Sequence, residues 1–312
     1  MAYDAADRRT SLLVWGALAI VYVVWGSTYL AIRVVIETLP PLLSGAMRFT
    51  SAAVILSLVI LLLKGPGPFR MTAKQFGGAA LVGVLLLTAG NGLVALAEQH
   101  ISSGLAALLV ASVPLWLVIL RVVARDRPRA LTLAGVLVGF AGVAVLSLTG
   151  ASGASNGTAI TIILLASISW SVGSFLSSRI PMPADPFAAS TVEMLVGGVG
   201  LTLVGTASGE HLNLAAVSGR SWIGLAYLIV MGSLVGFTAY AWLLGNAPIS
   251  LVSTYAYVNP VVAVVLGGLI LSEVVTGSMV VAGLVIVVGV ALVVSTERRK
   301  APVVTEKEPA PA

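Results

Sequence analysis

An all-α membrane protein of ten transmembrane helices in two inverted five-helix repeats is the fold the sequence predicts, and three observations predict it. Apolar residues make up 58% of the 312-residue chain and charged residues 9%, with a mean hydropathy of +1.07, a composition outside the range of ordinary soluble domains. The apolar residues fall in runs of about 20, the length an α-helix needs to cross a bilayer, with short polar loops between them. The two halves also repeat. Tyr29-Leu-Ala-Ile-Arg33 returns as Phe175-Leu-Ser-Ser-Arg179, Ala134-Gly135 as Ala282-Gly283, and Gly142-Val-Ala-Val as Gly289-Val-Ala-Leu. Five spans per half is an odd number, so the second repeat enters the membrane with opposite polarity, a plan that suits alternating access around a midplane cavity.

In chain order, residues 1–11 form a polar tail ending in Arg8-Arg9, and the first span is 12–35. The arginine pair resembles a twin-arginine signal, but the apolar run is too long and no small-residue cleavage site follows, so the span reads as an uncleaved helix. Further spans are expected at 42–63, 77–97, 104–124 and 130–149, which complete a first repeat over 12–149. A linker at 150–158 leads to a second repeat over 159–295, with spans at 159–179, 187–207, 221–244, 250–271 and 277–295. The charged, proline-containing segment 296–312 is expected to be a disordered tail.

Lys and Arg orient these spans. Arg8, Arg9, Lys64, Arg70, Lys74, Arg125, Arg127, Arg129, Arg179 and the C-terminal tail share one side, against Arg220 on the other. That bias predicts a multi-pass membrane protein with both termini cytoplasmic. It also accounts for the net charge of +5 without a nucleic-acid partner. Cysteine is absent, which excludes disulfides, thiolate metal sites and cysteine nucleophiles. The two histidines, His100 and His211, lack metal-ligand spacing, so no metal or cofactor is expected. Gly150-Ala-Ser-Gly153 matches an intramembrane serine-protease tetrapeptide with Ser152 as nucleophile, but it lies in a loop with no histidine in reach, and no catalytic residue is assigned. Asn156-Gly-Thr158 is formally a glycosylation sequon, uninformative in a bacterium.

The stretch from Ser253 to Glu273 breaks the pattern of a lipid-facing helix, because Tyr255, Tyr257, Asn259 and Pro260 fall inside it. Pro260 leaves the Ala256 carbonyl without its helical donor and is expected to kink the span. Pro114, 146 residues earlier, stands at the corresponding place of the first repeat. Trp25, Trp170, Tyr255 and Tyr257 lie roughly 8 Å or more inside the hydrocarbon, too deep for interfacial anchors. With Tyr29, Tyr240, Asn91 and Asn259 they are candidates for a substrate cavity, whereas Trp15 and Trp222 sit at span ends as anchors. Gly135 with Gly139, and Gly232 with Gly236, are spaced for close helix contact.

Charges inside spans are costly and therefore informative. Arg33, Arg48 and Glu98 are expected to share an outer vestibule whose surplus positive charge favours anionic or zwitterionic carboxylates. Arg121 and Arg179, at cytoplasmic span ends, need only snorkelling. Glu193 aligns with Arg48 across the repeat, but the inverted topology puts roughly 12 Å between them along the membrane normal. It is expected to be protonated, wet, or partnered by Ser177 or Ser178, and is the proton site if transport is proton-coupled.

Trp25-Gly-Ser-Thr-Tyr-Leu-Ala-Ile-Arg33, Gly90-Asn-Gly-Leu93, Ala97-Glu-Gln-His100, Ser112-Val-Pro-Leu115, Gly173-Ser174 and Thr254-Tyr-Ala-Tyr-Val-Asn-Pro-Val-Val-Ala-Val265 resemble the EamA family of the drug/metabolite transporter superfamily. The resemblance covers the chain outside its tails. It implies ten helices in two repeats, a place in the cell membrane (the bacterial inner membrane), and efflux of small metabolites, amino acids or xenobiotics. Helices 1, 3, 4, 6, 8 and 9 then line the cavity, which brings in Ser174, and the family's acidic residue after the fourth helix falls at Asp126, with Glu273 its counterpart. The chain is therefore expected to be a secondary transporter whose partners are a small-molecule substrate and membrane lipids. A channel-like facilitator, a membrane enzyme and a non-transporting scaffold or sensor are the alternatives.

Overall fold

The structure, a computed structural model, describes the backbone of residues 2–150, 154–247, 252 and 254–297, and the side chains of 12–148, 157–240, 242, 243, 246, 247, 252, 254–256 and 258–296. Ser152, the side chains of Asn156 and Tyr257, and the tail beyond 297 lie outside the described residues. The described residues contain helices and no strand. We label the helices α1 (Ala2–Val35), α2 (Pro41–Lys64), α3 (Ala73–Ala97), α4 (Ser103–Val123), α5 (Ala130–Gly150), α6 (Ala154–Ser177), α7 (Pro186–Ala207), α8 (219–246), α9 (Tyr255–Ile270) and α10 (Gly277–Glu297). Among the described residues, nine helices are long and apolar enough to cross a membrane, and the apolar part of α9, Val258–Ile270, is shorter.

Local chemistry sets the helix starts. Pro41 and Pro186 occupy the first position of α2 and α7, where a missing N–H costs nothing. Thr72 and Gln75 form a capping box ahead of α3. Ser102, Asp185 and Ser218 accept from the free amides that open α4, α7 and α8.

Four features of the helices bear on function. The first helix starts at Ala2 rather than near residue 12, so the polar tail continues the apolar helix. The helix α4 is interrupted at Ala111-Ser112, with Pro114 at the second position of its second piece. In contrast, α9 runs unbroken through Pro260. The third helix of each half contains a π-helical stretch, Val84–Asn91 in α3 and Leu228–Val235 in α8. Hydropathy carries no mark of such a wide turn, which in proteins often accompanies a functional site.

Packing exchanges partners between the halves. The helix α1 packs on α8 and α9, and its counterpart α6 packs on α3 and α4. On the flanks α2 lies against α7, and α5 against α10. Glycine permits the last of these approaches: a Cβ on Gly289 would lie 2.4 Å from the Gly139 amide nitrogen, and one on Gly135 would lie 3.0 Å from the Gly289 carbonyl oxygen. Because backbone cannot give way as a side-chain tip can, Gly289→Leu is expected to cost more than the roughly 1–3 kcal/mol of ordinary overpacking. A lowered thermal midpoint of the detergent-solubilised protein, with α-helical content retained at low temperature, checks it.

Polar contacts define two ends of the bundle. At one end Lys64 pairs with Asp185 at 2.8 Å, and the Thr132 and Thr296 hydroxyls bond at 2.8 Å. At the other, the Glu210 carboxylate accepts from the Leu42 and Leu43 amides at 3.1 and 2.9 Å, Thr38 Oγ1 donates to Ser221 Oγ at 2.8 Å, and Glu273 meets Ser103. Between these ends the outer surface is apolar, with Leu62, Leu148 and Leu269 each at least 77% exposed. Such a surface fits lipid rather than water. Trp15 and Trp222 are exposed, as interfacial anchors require.

Candidate functional site

A cavity of about 900 Å³ lies between the halves, within the size range of ligand pockets. Its wall is drawn from α1, α2, α3, α4, α6, α8, α9 and α10. The helices α2 and α10 thus join the six that the family resemblance implies, through Arg48 and Phe49, and through Val293 and Val294.

One side of the cavity is aromatic. The Trp25 indole packs on Phe237, Tyr240 and Tyr255 with ring centroids 5.5, 5.0 and 5.2 Å apart, and Tyr240 meets Tyr255 at 5.8 Å. Tyr29, Trp170 and Ser174 also line the space. Phe237 escaped the sequence reading, because a phenylalanine in an apolar run carries no mark that separates it from core.

The two amides line the cavity and are partly engaged. Asn91 Nδ2 donates to the Leu86 carbonyl at 3.4 Å, within its own π-helical stretch. Asn259, with its amide oriented to suit its surroundings, donates to the carbonyls of Tyr255 and Tyr22, each at 3.2 Å. It therefore ties α9 to α1 beside the break that Pro260 makes in the ladder, and it bonds the neighbour of the Ala256 carbonyl rather than that carbonyl. The Tyr22 and Thr254 hydroxyls add a second tie between the same helices. Pro114 and Pro260 both line the cavity.

Charge in the cavity wall comes from arginines alone among the described residues. Arg48 is 6% exposed, donates Nε–H to Ser233 Oγ at 3.0 Å, and lies over the Phe49 ring at 4.7 Å. Gly232 and Gly236 make room here rather than for a packed helix: their nearest neighbours are Arg48 Nη2 at 3.1 Å and Trp25 Nε1 at 2.4 Å from an added Cβ. Arg121 and Arg179 line the opposite end of the cavity, so snorkelling does not describe them. Arg121 pairs with Asp126 at 2.5 Å. Arg179 stacks on Phe175 at 3.6 Å and is exposed beside exposed Ser178, so the cavity opens at this end, the end of Lys64 and Asp185. At its other end the cavity stops at buried Ile32, Arg48 and Val94.

Arg33 and Glu98 stand outside the cavity wall, which corrects the vestibule expected of them with Arg48, and Glu193 stands outside it too. Arg33 Nη1 donates to the backbone carbonyl of Glu98, not to its carboxylate. The Glu98 side chain is fully buried, and neither of its carboxyl oxygens has a hydrogen-bond partner. Burial, reinforced by nearby Glu273 and opposed by Arg33, lifts its pKa well above its ordinary value. Glu193 lies where α7 crosses α3, its backbone against Gly83. Ser177 and Ser178 bond back to their own helix, at Ser174 and Phe175, rather than to Glu193. Depth along a span is legible in sequence, but the direction of a side chain around its helix is not, and Arg33 and Glu98 fail on direction.

Comparison with known proteins fits this architecture. A profile of the EamA-like transporter family matches residues 13–148 and 157–295. The chain is 40% identical over 263 residues, 83% of each chain, to the uncharacterized inner membrane transporter YedA of Escherichia coli (strain K12). It is 27% identical to a probable terminal-alkyne amino-acid exporter of Streptantibioticus cattleyicolor, covering 85% of this chain and 88% of that one. A solved crystal structure covers 91% of this chain and 97% of its own with a TM-score of 0.63 at 18% identity, a likeness of fold. With matches to both halves and this degree of identity, the chain belongs to the EamA-like transporter family.

Proposed function

We propose that the chain is a secondary transporter that exports a small organic anion or zwitterion from the cytoplasm by alternating access. The observation that carries this reading is one-sided access: a cavity of about 900 Å³ open at one end and stopped at the other by packed side chains. The excess of Lys and Arg on the open side makes that side cytoplasmic under the positive-inside rule, so the conformation described is inward-facing. Ten membrane-crossing helices in two inverted repeats, 12–149 and 159–295, supply the two near-equivalent arrangements such a cycle needs. The exchanged packing of α1 and α6 supports that symmetry.

Arg48 supports the substrate class. A cation buried in a membrane protein without a counter-charge is costly, and an incoming carboxylate would supply one. The Trp25, Tyr240 and Tyr255 rings offer an apolar seat for the rest of the molecule. The named amino-acid specificity of the Streptantibioticus relative is consistent with a carboxylate-bearing substrate. The test is accumulation of labelled carboxylates, against gradient, in proteoliposomes of the purified protein. A facilitator would stop at equal concentrations, and a scaffold would move nothing.

Pro114→Ala and Pro260→Ala are expected to lower turnover by about tenfold or more while leaving membrane insertion near parental. Both prolines line the cavity, and Pro114 sits at the break in α4. Transport rate per inserted molecule, measured for each variant, decides it; parental rates in both would remove the two prolines from the mechanism.

A further inference from the structure

The acids Asp126 and Glu273 stand in matching backbone settings and make different contacts. Each follows a non-glycine residue in the left-handed region, Arg125 at φ 62° and Ser272 at φ 55°. A side chain is held there only where surrounding contacts fix it. Each acid also returns its amide to the preceding helix, Asp126 to the Arg121 carbonyl at 2.9 Å and Glu273 to the Gly267 carbonyl at 3.1 Å. At the open end Asp126 then turns onto Arg121 of its own helix.

At the closed end Glu273 instead crosses to the other half. Its carboxylate accepts from Ser103 N at 2.9 Å, Ser103 Oγ at 3.0 Å and Gly104 N at 3.2 Å. These are the free amides that open α4, where the helix dipole also favours an anion. Gly267 leaves the space for this seat, since an added Cβ would lie 2.5 Å from the Glu273 carboxylate and 3.0 Å from Ser103 Oγ.

We propose that Glu273 is a gating residue: seated on the N-terminus of α4, its carboxylate latches the closed end shut, and it leaves that seat when that end opens. The proposal rests on the alternating-access reading above. Two further features fit it. The repeat-related acid at the open end pairs with Arg121 of the cavity mouth. Behind the latch, the unpartnered carboxyl of Glu98 is sealed from water while the latch is shut. Opening would hydrate that carboxyl as it breaks the Glu273 bonds, which brings the two states closer in energy.

The chain has no cysteine, so a single one is a clean reporter. Val94→Cys puts a thiol in the cavity wall one helical turn before Glu98. A membrane-impermeant maleimide, applied to vesicles of either orientation, then reports access from each end separately. In the parent, labelling should be fast from the open end and slow from the closed end. Adding Glu273→Ala is expected to raise labelling from the closed end about tenfold and to lower it from the open end. Glu273→Gln, which keeps one acceptor oxygen, should fall between, and Asp126→Ala should leave the closed end sealed. With a one-sided parent, unchanged labelling in both Glu273 variants, or a rise from both ends together, overturns the latch alone. Equally fast labelling from both ends of the parent overturns alternating access and the latch with it.

Discussion

Arg48→Met is expected to weaken substrate binding about 10²-fold and to leave the protein at least as thermally stable as the parent. Arg48 is 6% exposed and its one side-chain hydrogen bond is to the neutral Ser233 hydroxyl, which leaves the outer edge of the guanidinium for a ligand. Charge-assisted bonds of this kind are worth about 1.5–3 kcal/mol each, and a two-pronged carboxylate contact makes a pair of them. Removing the cation also removes the cost of burying it, and methionine refills much of the volume over the Phe49 ring. Loss of affinity with stability kept is a signature that a structural arginine would not give, because breaking a structural pair lowers both. Arg48→Lys keeps the charge and loses the planar fork, so its affinity should fall between the two. Dissociation constants for the accumulated substrate, set beside the thermal midpoints of the empty proteins, check all three.

Much of this architecture is legible in the chain because a bilayer imposes rules that residues must visibly obey. Among the described residues nine helices announce themselves by length and hydropathy, and the residues that mark the cavity do so by breaking the same rules. Trp25, Trp170, Asn91 and Asn259 are conspicuous in mid-span, and the structure gathers them at one cavity. What stays hidden follows from the same physics. Arg121 and Arg179 fit a span end perfectly well as snorkelling side chains, so nothing in the sequence says that the cavity mouth is there. Glu98 is only a carboxylate at a helix end until the fold seals it from water. The π-helical stretches in α3 and α8 widen one turn each without disturbing the apolar run. Gly232 and Gly236 share the spacing of Gly135 and Gly139, and only their neighbours distinguish space for a cavity side chain from space for a helix.

That distinction supports a second large effect: Gly236→Val should reduce transport by at least about tenfold with expression and stability near parental. A Cβ at position 236 would sit 2.4 Å from Trp25 Nε1 and 2.9 Å from its Cδ1. The indole cannot retreat freely, because Phe237, Tyr240 and Tyr255 surround it with centroids 5.0 to 5.5 Å away. The added bulk must therefore displace a ring of the cavity wall, and Trp25 itself borders the open space. Gly232→Ala, one turn earlier, meets only side-chain ends, Arg48 Nη2 at 3.1 Å and Thr28 Cγ2 at 3.2 Å, and should be tolerated far better. Trp25→Ala offers the opposite control, since it enlarges the cavity and removes the seat: KM should rise while the maximal rate is largely kept, whereas Gly236→Val should lower the maximal rate. Kinetics of the three variants in proteoliposomes separate these outcomes, and equal losses in Gly232→Ala and Gly236→Val would mean that α8 is held by helix packing rather than shaped around the cavity.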